Sequence, residues 1–171
     1  IWPTEMLNSK RIPLENLQSK AEGMKDSNEK DIIPQILGNE ENSIAVSVKK
    51  LKEWGAVEID INMGCPVQKA LRHNYGVALM GDPNYAAEVV RMTVRNTDLP
   101  VSVKLRVGLQ SDPEYLIRFV EGLQKAGASW ICLHPRTAAQ KRRGFADWSQ
   151  IHWLRQRINI PIIGNGDIQT S

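Results

Sequence analysis

Cys65 lies between Gly64 and Pro66, three residues after Asn62, in a turn that follows Val57-Glu58-Ile59-Asp60-Ile61-Asn62. A free thiol has a pKa of about 8.5, so near neutrality it is mostly protonated and can give a proton to a reacting carbon. Service as a nucleophile or redox centre would need a depressed pKa and usually a neighbouring base, and the sequence shows none beside it. Cys132 stands between Ile131 and Leu133 in mid-strand and reads as a small buried hydrophobe. Lys104 interrupts the otherwise apolar or small run Val101-Ser102-Val103-Lys104-Leu105. An unpaired buried ammonium is costly, so a lysine there suits a place where negative charge must be stabilised. Gln35 offers a donor and acceptors on one amide; it is either a strand-end group bonding loop backbone or a ligand contact. His134 and Arg106 end two further strand-like runs, and the histidine reads equally as a structural residue or a site group. Asn165-Gly166-Asp167 follows the last such run, with Gly166 permitting close backbone approach.

These residues need elements to hold them, and short apolar runs alternate with longer amphipathic ones along the chain. Strands are predicted over 31–38, 57–62, 101–106, 130–134 and 160–165, with a shorter one over 2–6. Helices are predicted over 42–54, 84–96, 113–126 and 148–157, because their apolar positions recur at helical spacing; Ile44, Val48, Leu51 and Trp54 are an example. Gly55 and Gly127 close two of them. The polar stretch 22–30 reads as loop. Strict alternation implies parallel strands with covering helices. No Gly-rich phosphate loop follows an early strand, which argues against a dinucleotide-binding sheet. Gln35, Asn62, Lys104, Arg106, His134 and Asn165 all fall at or near C-terminal strand ends, where a TIM (β/α)8 barrel builds its site. The predicted fold is an α/β barrel of this kind, incomplete, with about six of eight strands present.

The 171 residues suffice for one domain, and 42% hydrophobic with 24% charged residues is ordinary for a globular chain. No apolar run nears the ~20 residues of a membrane span. The start, Ile1-Trp2-Pro3-Thr4-Glu5-Met6, is neither basic nor followed by a long apolar stretch, so no signal peptide is expected. Two cysteines make neither a disulfide framework nor a metal-ligand spacing; no metal is expected, and the setting is predicted to be cytoplasmic. A net charge of +3 does not by itself argue for nucleic acid, and Lys141-Arg142-Arg143 alone reads as a solvated loop.

Four segments in this order resemble the FMN-dependent tRNA-dihydrouridine synthase family, bacterial type. They are Asn62-Met63-Gly64-Cys65-Pro66, Val103-Lys104-Leu105-Arg106-Val107-Gly108, His134-Pro135-Arg136-Thr137-Ala138-Ala139-Gln140 and Asn165-Gly166-Asp167-Ile168. Thr4-Glu5-Met6 and Gly144-Phe145-Ala146-Asp147-Trp148 support the match, which runs through nearly the whole chain. The resemblance implies reduction of a tRNA uridine to 5,6-dihydrouridine, with NADPH or NADH as reductant. Hydride passes from reduced FMN to C6, and Cys65 protonates C5. It implies further that Lys104 stabilises charge around the flavin N1 and O2, that Gln35 meets the pyrimidine edge, and that His134 contacts FMN or the base. Asn165, Gly166 and Asp167 would approach the ribityl-phosphate, while Asn62 and Arg106 meet a uracil taken out of its stack. Arg142 departs from the pattern, standing where many relatives carry an aromatic residue, and is expected to contact RNA phosphate. Pro135 replaces a frequent glycine. The full-length protein is expected to be a monomer.

By the same resemblance, residues 1–171 are expected to form a partial FMN-binding barrel domain, shortened at both ends, without the C-terminal helical tRNA-binding domain. Such a piece would leave two open parallel edges, bind FMN poorly, and be poorly soluble or partly molten in isolation. Two rival readings remain: another FMN barrel acting on a free pyrimidine, and a truncated barrel serving only as an RNA-binding module.

Overall fold

The computed structural model describes residues 2–26, 28–29 and 31–169, apart from the side chains of Trp2 and Lys69. Six strands are present: β1 Trp2–Asn8, β2 Ile32–Leu37, β3 Ile59–Met63, β4 Val101–Arg106, β5 Trp130–His134 and β6 Ile162–Gly164. They form one parallel sheet in the order β1-β2-β3-β4-β5-β6. Between them run α1 Glu41–Trp54, α2 Gln68–Arg72, α3 Pro83–Arg95, α4 Pro113–Lys125 and α5 Ser149–Arg155. Sequential order, with every neighbour parallel, is the order of strands around a (β/α)8 barrel. Among the described residues β1 and β6 do not pair, so the barrel is an open arc.

Period-two alternation splits each central strand between two faces. Ile59, Ile61, Met63, Val101, Val103, Leu105, Ile131 and Leu133 are fully or almost fully buried in the apolar core. Ile44, Val48 and Leu51 of α1, Val89 and Val90 of α3, and Leu116, Phe119, Val120 and Leu123 of α4 belong to the same core. The intervening strand positions, Gln35, Asp60, Asn62, Ser102, Lys104, Cys132 and His134, share the concave side.

Helices α3 and α4 start with one sequence device used twice. Asp82-Pro83-Asn84-Tyr85 and Asp112-Pro113-Glu114-Tyr115 each set an aspartate as N-cap, accepting a 3.0 Å bond from the tyrosine N–H, and proline as first helical residue. Each tyrosine hydroxyl then reaches back: Tyr85 donates to the carbonyl of Asn39 at 3.0 Å, and Tyr115 to that of Met80. The strand-end loops are thereby tied to the helices.

The structure refines the sequence reading at several elements. β3 begins two residues later than expected and ends one later, β1 extends to Asn8, and β6 shrinks to three residues. β1 carries a register irregularity between Pro3 and Met6, where the Thr4 hydroxyl accepts the Gln35 N–H at 3.1 Å in place of a ladder carbonyl. Two 3₁₀ turns, Ile12–Leu14 and Leu17–Ser19, and a 3₁₀ segment, Gly76–Gly81, were not anticipated. They supply Ile12, Leu17, Val77, Leu79 and Met80 to the core. No helix among the described residues is long and apolar enough to cross a membrane.

Candidate active site

Strand register sets the site in rows. Gln35 pairs with Asp60, Asp60 with Ser102, and Ser102 with Trp130; one step along, Asn62 pairs with Lys104, Lys104 with Cys132, and Cys132 with Ile163. Arg106 and His134 form the next row toward the strand ends. A cavity of about 600 Å³ lies against the concave face, lined by Thr4, Gln35, Asp60, Lys104, Cys132 and Asn165 together with Pro3, Ile33, Trp130, Pro161, Ile163 and Gly164. That size falls within the roughly 300–1,000 Å³ of small-molecule sites.

The electrostatics of the wall are unusual for a protein interior. Burial pushes the Lys104 ammonium below its ordinary value, and the neighbouring Arg106 lowers it further, while Asp60 and Cys132 oppose the shift. No hydrogen bond or ion pair holds this ammonium among the described residues. Burial likewise raises the Asp60 carboxyl to about 6, against hydrogen bonds from Gln35 and Ser102 and the charge of Lys104, which pull it down. A largely buried cation without a partner, beside an amide and facing open space, fits a flat ligand rich in acceptors and able to carry negative charge.

Asn62 is buried and links the cavity wall to the cysteine turn. Its Nδ2 donates to Gln35 Oε1 at 2.6 Å, and its Oδ1 accepts the backbone N–H groups of Gly64 at 3.1 Å and Cys65 at 2.9 Å. Cys65 is 9% exposed, and its carbonyl accepts Val77 N–H at 3.1 Å. Gly76 makes that approach possible, since at φ +56° a Cβ there would come within 2.6 Å of the Cys65 oxygen. Arg106 braces two loops: Nε donates to the carbonyl of Gly64 at 3.0 Å, and Nη1 to those of Thr137 at 3.1 Å and Lys141 at 3.0 Å. Read in sequence as a substrate contact, it spends these donors on backbone, leaving Nη2 for any ligand. Arg142, next to the braced Lys141, is exposed.

His134 stands 3.0 Å from Arg136 through Nε2. A guanidinium only donates, so Nε2 accepts and the neutral ring carries its proton on Nδ1. Burial, with Arg106, Lys104 and Arg136 nearby, lowers His134 to about 4. Gly166, at φ +107°, packs against this ring so closely that a Cβ would meet Cδ2 and Nε2 at 2.7 Å. Asp167 is engaged within the protein, accepting Arg136 Nη2 at 2.7 Å and Ala146 N–H at 2.7 Å. The backbone bond from Ala146, then Arg136, holds its carboxyl below the usual range.

The structure therefore gathers Gln35, Lys104 and Asn165 around one cavity, joins Asn62 and Cys65 to it through Gln35, and sets His134 beside Arg106 at the strand ends with Gly166 against the His134 ring. Sequence reasoning missed Asp60, Ser102 and Arg136. The signal for Asp60 was its place two residues before Asn62 on one strand face; Arg136 lay inside a quoted segment without a role. Cys132, expected as a small buried hydrophobe, is half-buried and lines the cavity beside Lys104, because its position faces the concave side. Burial raises its thiol pKa.

Comparison with known proteins bears on this arrangement. The sequence is 36% identical to a probable tRNA-dihydrouridine synthase 1 of Synechocystis sp., over 96% of this chain and 46% of that protein. It is 33% identical to a probable tRNA-dihydrouridine synthase of Rhizobium leguminosarum bv. phaseoli, over 98% of this chain and 53% of the relative. Against tRNA-dihydrouridine synthase B of Proteus vulgaris it is 34% identical over 78% and 42%. The chain spans about half the length of these curated relatives. A phosphonopyruvate hydrolase crystallised with oxalate and Mg²⁺ superposes with a TM-score of 0.54 at 13% identity, covering 94% of this chain and 68% of that one, which supports the barrel fold alone. The family model of dihydrouridine synthase matches residues 1–171, and the chain belongs to the dihydrouridine synthase family.

Proposed function

We propose that the protein to which this chain belongs reduces the C5–C6 double bond of a uridine in tRNA, giving 5,6-dihydrouridine, with FMN as cofactor and NADPH or NADH as reductant. The observation that carries the reading is the largely buried Lys104 ammonium, without a partner among the described residues, on the wall of the 600 Å³ cavity, two bonded amides away from the Cys65 turn. Reduced FMN, when bound, supplies the hydride that goes to C6. Lys104 would hold the anionic N1–O2 edge of the cofactor, and a fixed cation in a partly desolvated wall stabilises that charge more than one in water. Gln35 would meet the same ring edge with the amide hydrogen not used inside the protein, and Asn165 closes the wall on the β6 side. His134, neutral near pH 7 with its proton on Nδ1, offers a donor without adding charge.

Cys65 would deliver the proton to C5 from the opposite side of the uracil. It does so as a thiol, and the turn that holds it is pinned on both flanks, by Asn62 and by Arg106. Asn62 would contact the uracil edge. The exposed Arg142 would meet phosphate of the tRNA, a solvent-screened contact that adds affinity without sequence choice.

The test uses the intact protein with its flavin reduced anaerobically by NADPH. Unmodified tRNA is expected to reoxidise the flavin rapidly and to gain dihydrouridine, with free uracil and dihydroorotate far slower. Reoxidation by a free pyrimidine would move the assignment to an enzyme of small pyrimidines. Binding of tRNA by a protein that holds no flavin would make it an RNA-binding module.

A further inference from the structure

Asp60 is a buried acid, 3% exposed, that the proposed reaction does not use. Around it donors and acceptors form one directed chain. Ser102 Oγ donates to Asp60 Oδ1 at 2.7 Å, and Gln35 Nε2 donates to Asp60 Oδ2 at 2.6 Å. Gln35 Oε1 accepts Asn62 Nδ2 at 2.6 Å, and Asn62 Oδ1 accepts the N–H groups of Gly64 and Cys65. A carboxylate only accepts and a backbone N–H only donates. The two ends of the chain therefore impose the same orientation on both amides between them. A flipped Gln35 would set its oxygen against the carboxylate and its NH₂ against that of Asn62. A flipped Asn62 would face two backbone donors with a third.

We propose that Asp60 is a positioning residue, which locks the amide of Gln35 and through it that of Asn62, and so fixes both the cavity's donor pattern and the turn that carries Cys65. The inference rests on the reading of this cavity as the cofactor site and of Cys65 as proton donor. Its chemical consequence concerns the ligand. With Nε2 turned to Asp60, Gln35 has one amide hydrogen left for the cavity, beside the Lys104 ammonium, so this wall selects a ring edge made of acceptors. The other charged groups facing Asp60 are Lys104, which lowers its pKa, and Glu58, which raises it. With its pKa at about 6, Asp60 is mainly a carboxylate at neutral pH, the form that can only accept from Gln35 and so imposes the orientation.

Two substitutions separate orientation from charge. Asp60→Asn can set its oxygen against Gln35 Nε2 and its NH₂ against Ser102 Oγ, because a hydroxyl accepts as well as donates; the chain survives and the charge is lost. Asp60→Ala removes the anchor. The first readout needs no flavin: the rate of Cys65 alkylation by iodoacetamide in the intact protein, with peptide mass spectrometry separating Cys65 from Cys132. A loosened turn opens more often, so Asp60→Ala is expected to react about 5-fold faster or more, and Asp60→Asn within about 2-fold of the parent. The second readout is steady-state turnover, in which Asp60→Ala is expected to lower kcat about 10-fold with KM for tRNA unchanged, an effect of the size of one misplaced hydrogen bond. Equal Cys65 reactivity in parent and Asp60→Ala would overturn the proposal, as would Asp60→Asn behaving like Asp60→Ala in either readout. Should Asp60→Ala not fold, Gln35→Leu cuts the same chain one link later, and the alkylation comparison decides on that variant. A parent that binds no flavin would sink the proposed function while leaving the alkylation result to judge Asp60.

Discussion

Ile59, Ile61 and Met63 alternate along β3 with Asp60 and Asn62, so one strand serves two faces built on different physics. On the helix-covered face the strand side chains are apolar, and the stabilisation scales with area removed from water. On the concave face Gln35, Asp60, Asn62 and Ser102 are held by directed hydrogen bonds of 2.6–2.7 Å, while Lys104 has no partner among the described residues. The first arrangement tolerates apolar side chains of similar volume. The second dictates which atom faces which, and it keeps a buried charge at a cost to stability. That difference teaches where to look for function in this fold: on the face whose polar groups are not there for packing.

The two faces can be cut separately on the same strand. Leu105→Ala removes a fully buried core side chain and is expected to cost about 2–5 kcal/mol of unfolding free energy, with flavin affinity of the folded protein unchanged. Lys104→Met is expected to do the reverse, raising the unfolding free energy by on the order of 1 kcal/mol while weakening FMN binding roughly 10–100-fold. Denaturant melts and fluorescence titration with FMN check both. Lost stability in Lys104→Met, or lost flavin affinity in Leu105→Ala, would erase the distinction.

Gly166→Ala tests the contact between the turn after β6 and the His134 ring. A Cβ at 2.7 Å from that ring, on a backbone at φ +107°, is expected to cost about 1–3 kcal/mol by thermal unfolding and to displace His134 from Arg136.

Asp60 has its folded pKa raised from 3.8 to about 6. The folded state therefore binds its proton more tightly than the unfolded state, and this contribution, full below about pH 4, is lost as pH rises through 6. His134 is lowered from 6.5 to about 4. Its contribution runs the other way, present above about 6.5 and lost as pH falls through 4. The two offset each other across one window. Asp60→Asn is expected to make stability climb more steeply from pH 4 to 6.5, and His134→Asn to make it fall over the same range, as read by urea midpoints at several pH values. The smallest expected effect is at the rim: Arg142→Ala should weaken tRNA binding about 2–5-fold and reduce the salt slope of the affinity by about one.

How much of this was legible in the sequence differs between the faces. The apolar period marked β4 and β5 to the residue, and the Asp-Pro signals lay just ahead of α3 and α4. The segments 9–20 and 66–82 were opaque, because their core residues, such as Ile12 and Met80, are held by irregular turns whose hydrophobics follow no fixed period. At the site, strand-end position drew attention to Gln35, Asn62 and Lys104 and the Gly-Cys-Pro turn to Cys65, while the role expected of each came from the family resemblance. Residue type and position could not tell that Arg106 would bond three backbone carbonyls, nor that Asp167 would pair with Arg136. Those partners are 31 to 42 residues away in the chain, and only the closing of the loops over the sheet brings them together. Cys132 shows the same limit at shorter range: its apolar neighbours Ile131 and Leu133 face the helices, and its own side chain turns the other way into the cavity.

The most direct test of the central claim, that the concave strand ends form a reductive site with Cys65 as proton donor, is a single-turnover experiment on Cys65→Ala. The flavin of the intact variant is reduced anaerobically, unmodified tRNA is added, and dihydrouridine is measured over time. Normal FMN content and normal reduction by NADPH are expected, with dihydrouridine formation slowed about 10²–10⁴-fold, the usual range for loss of a positioned general acid. Dihydrouridine formed at the parent's rate would contradict the claim.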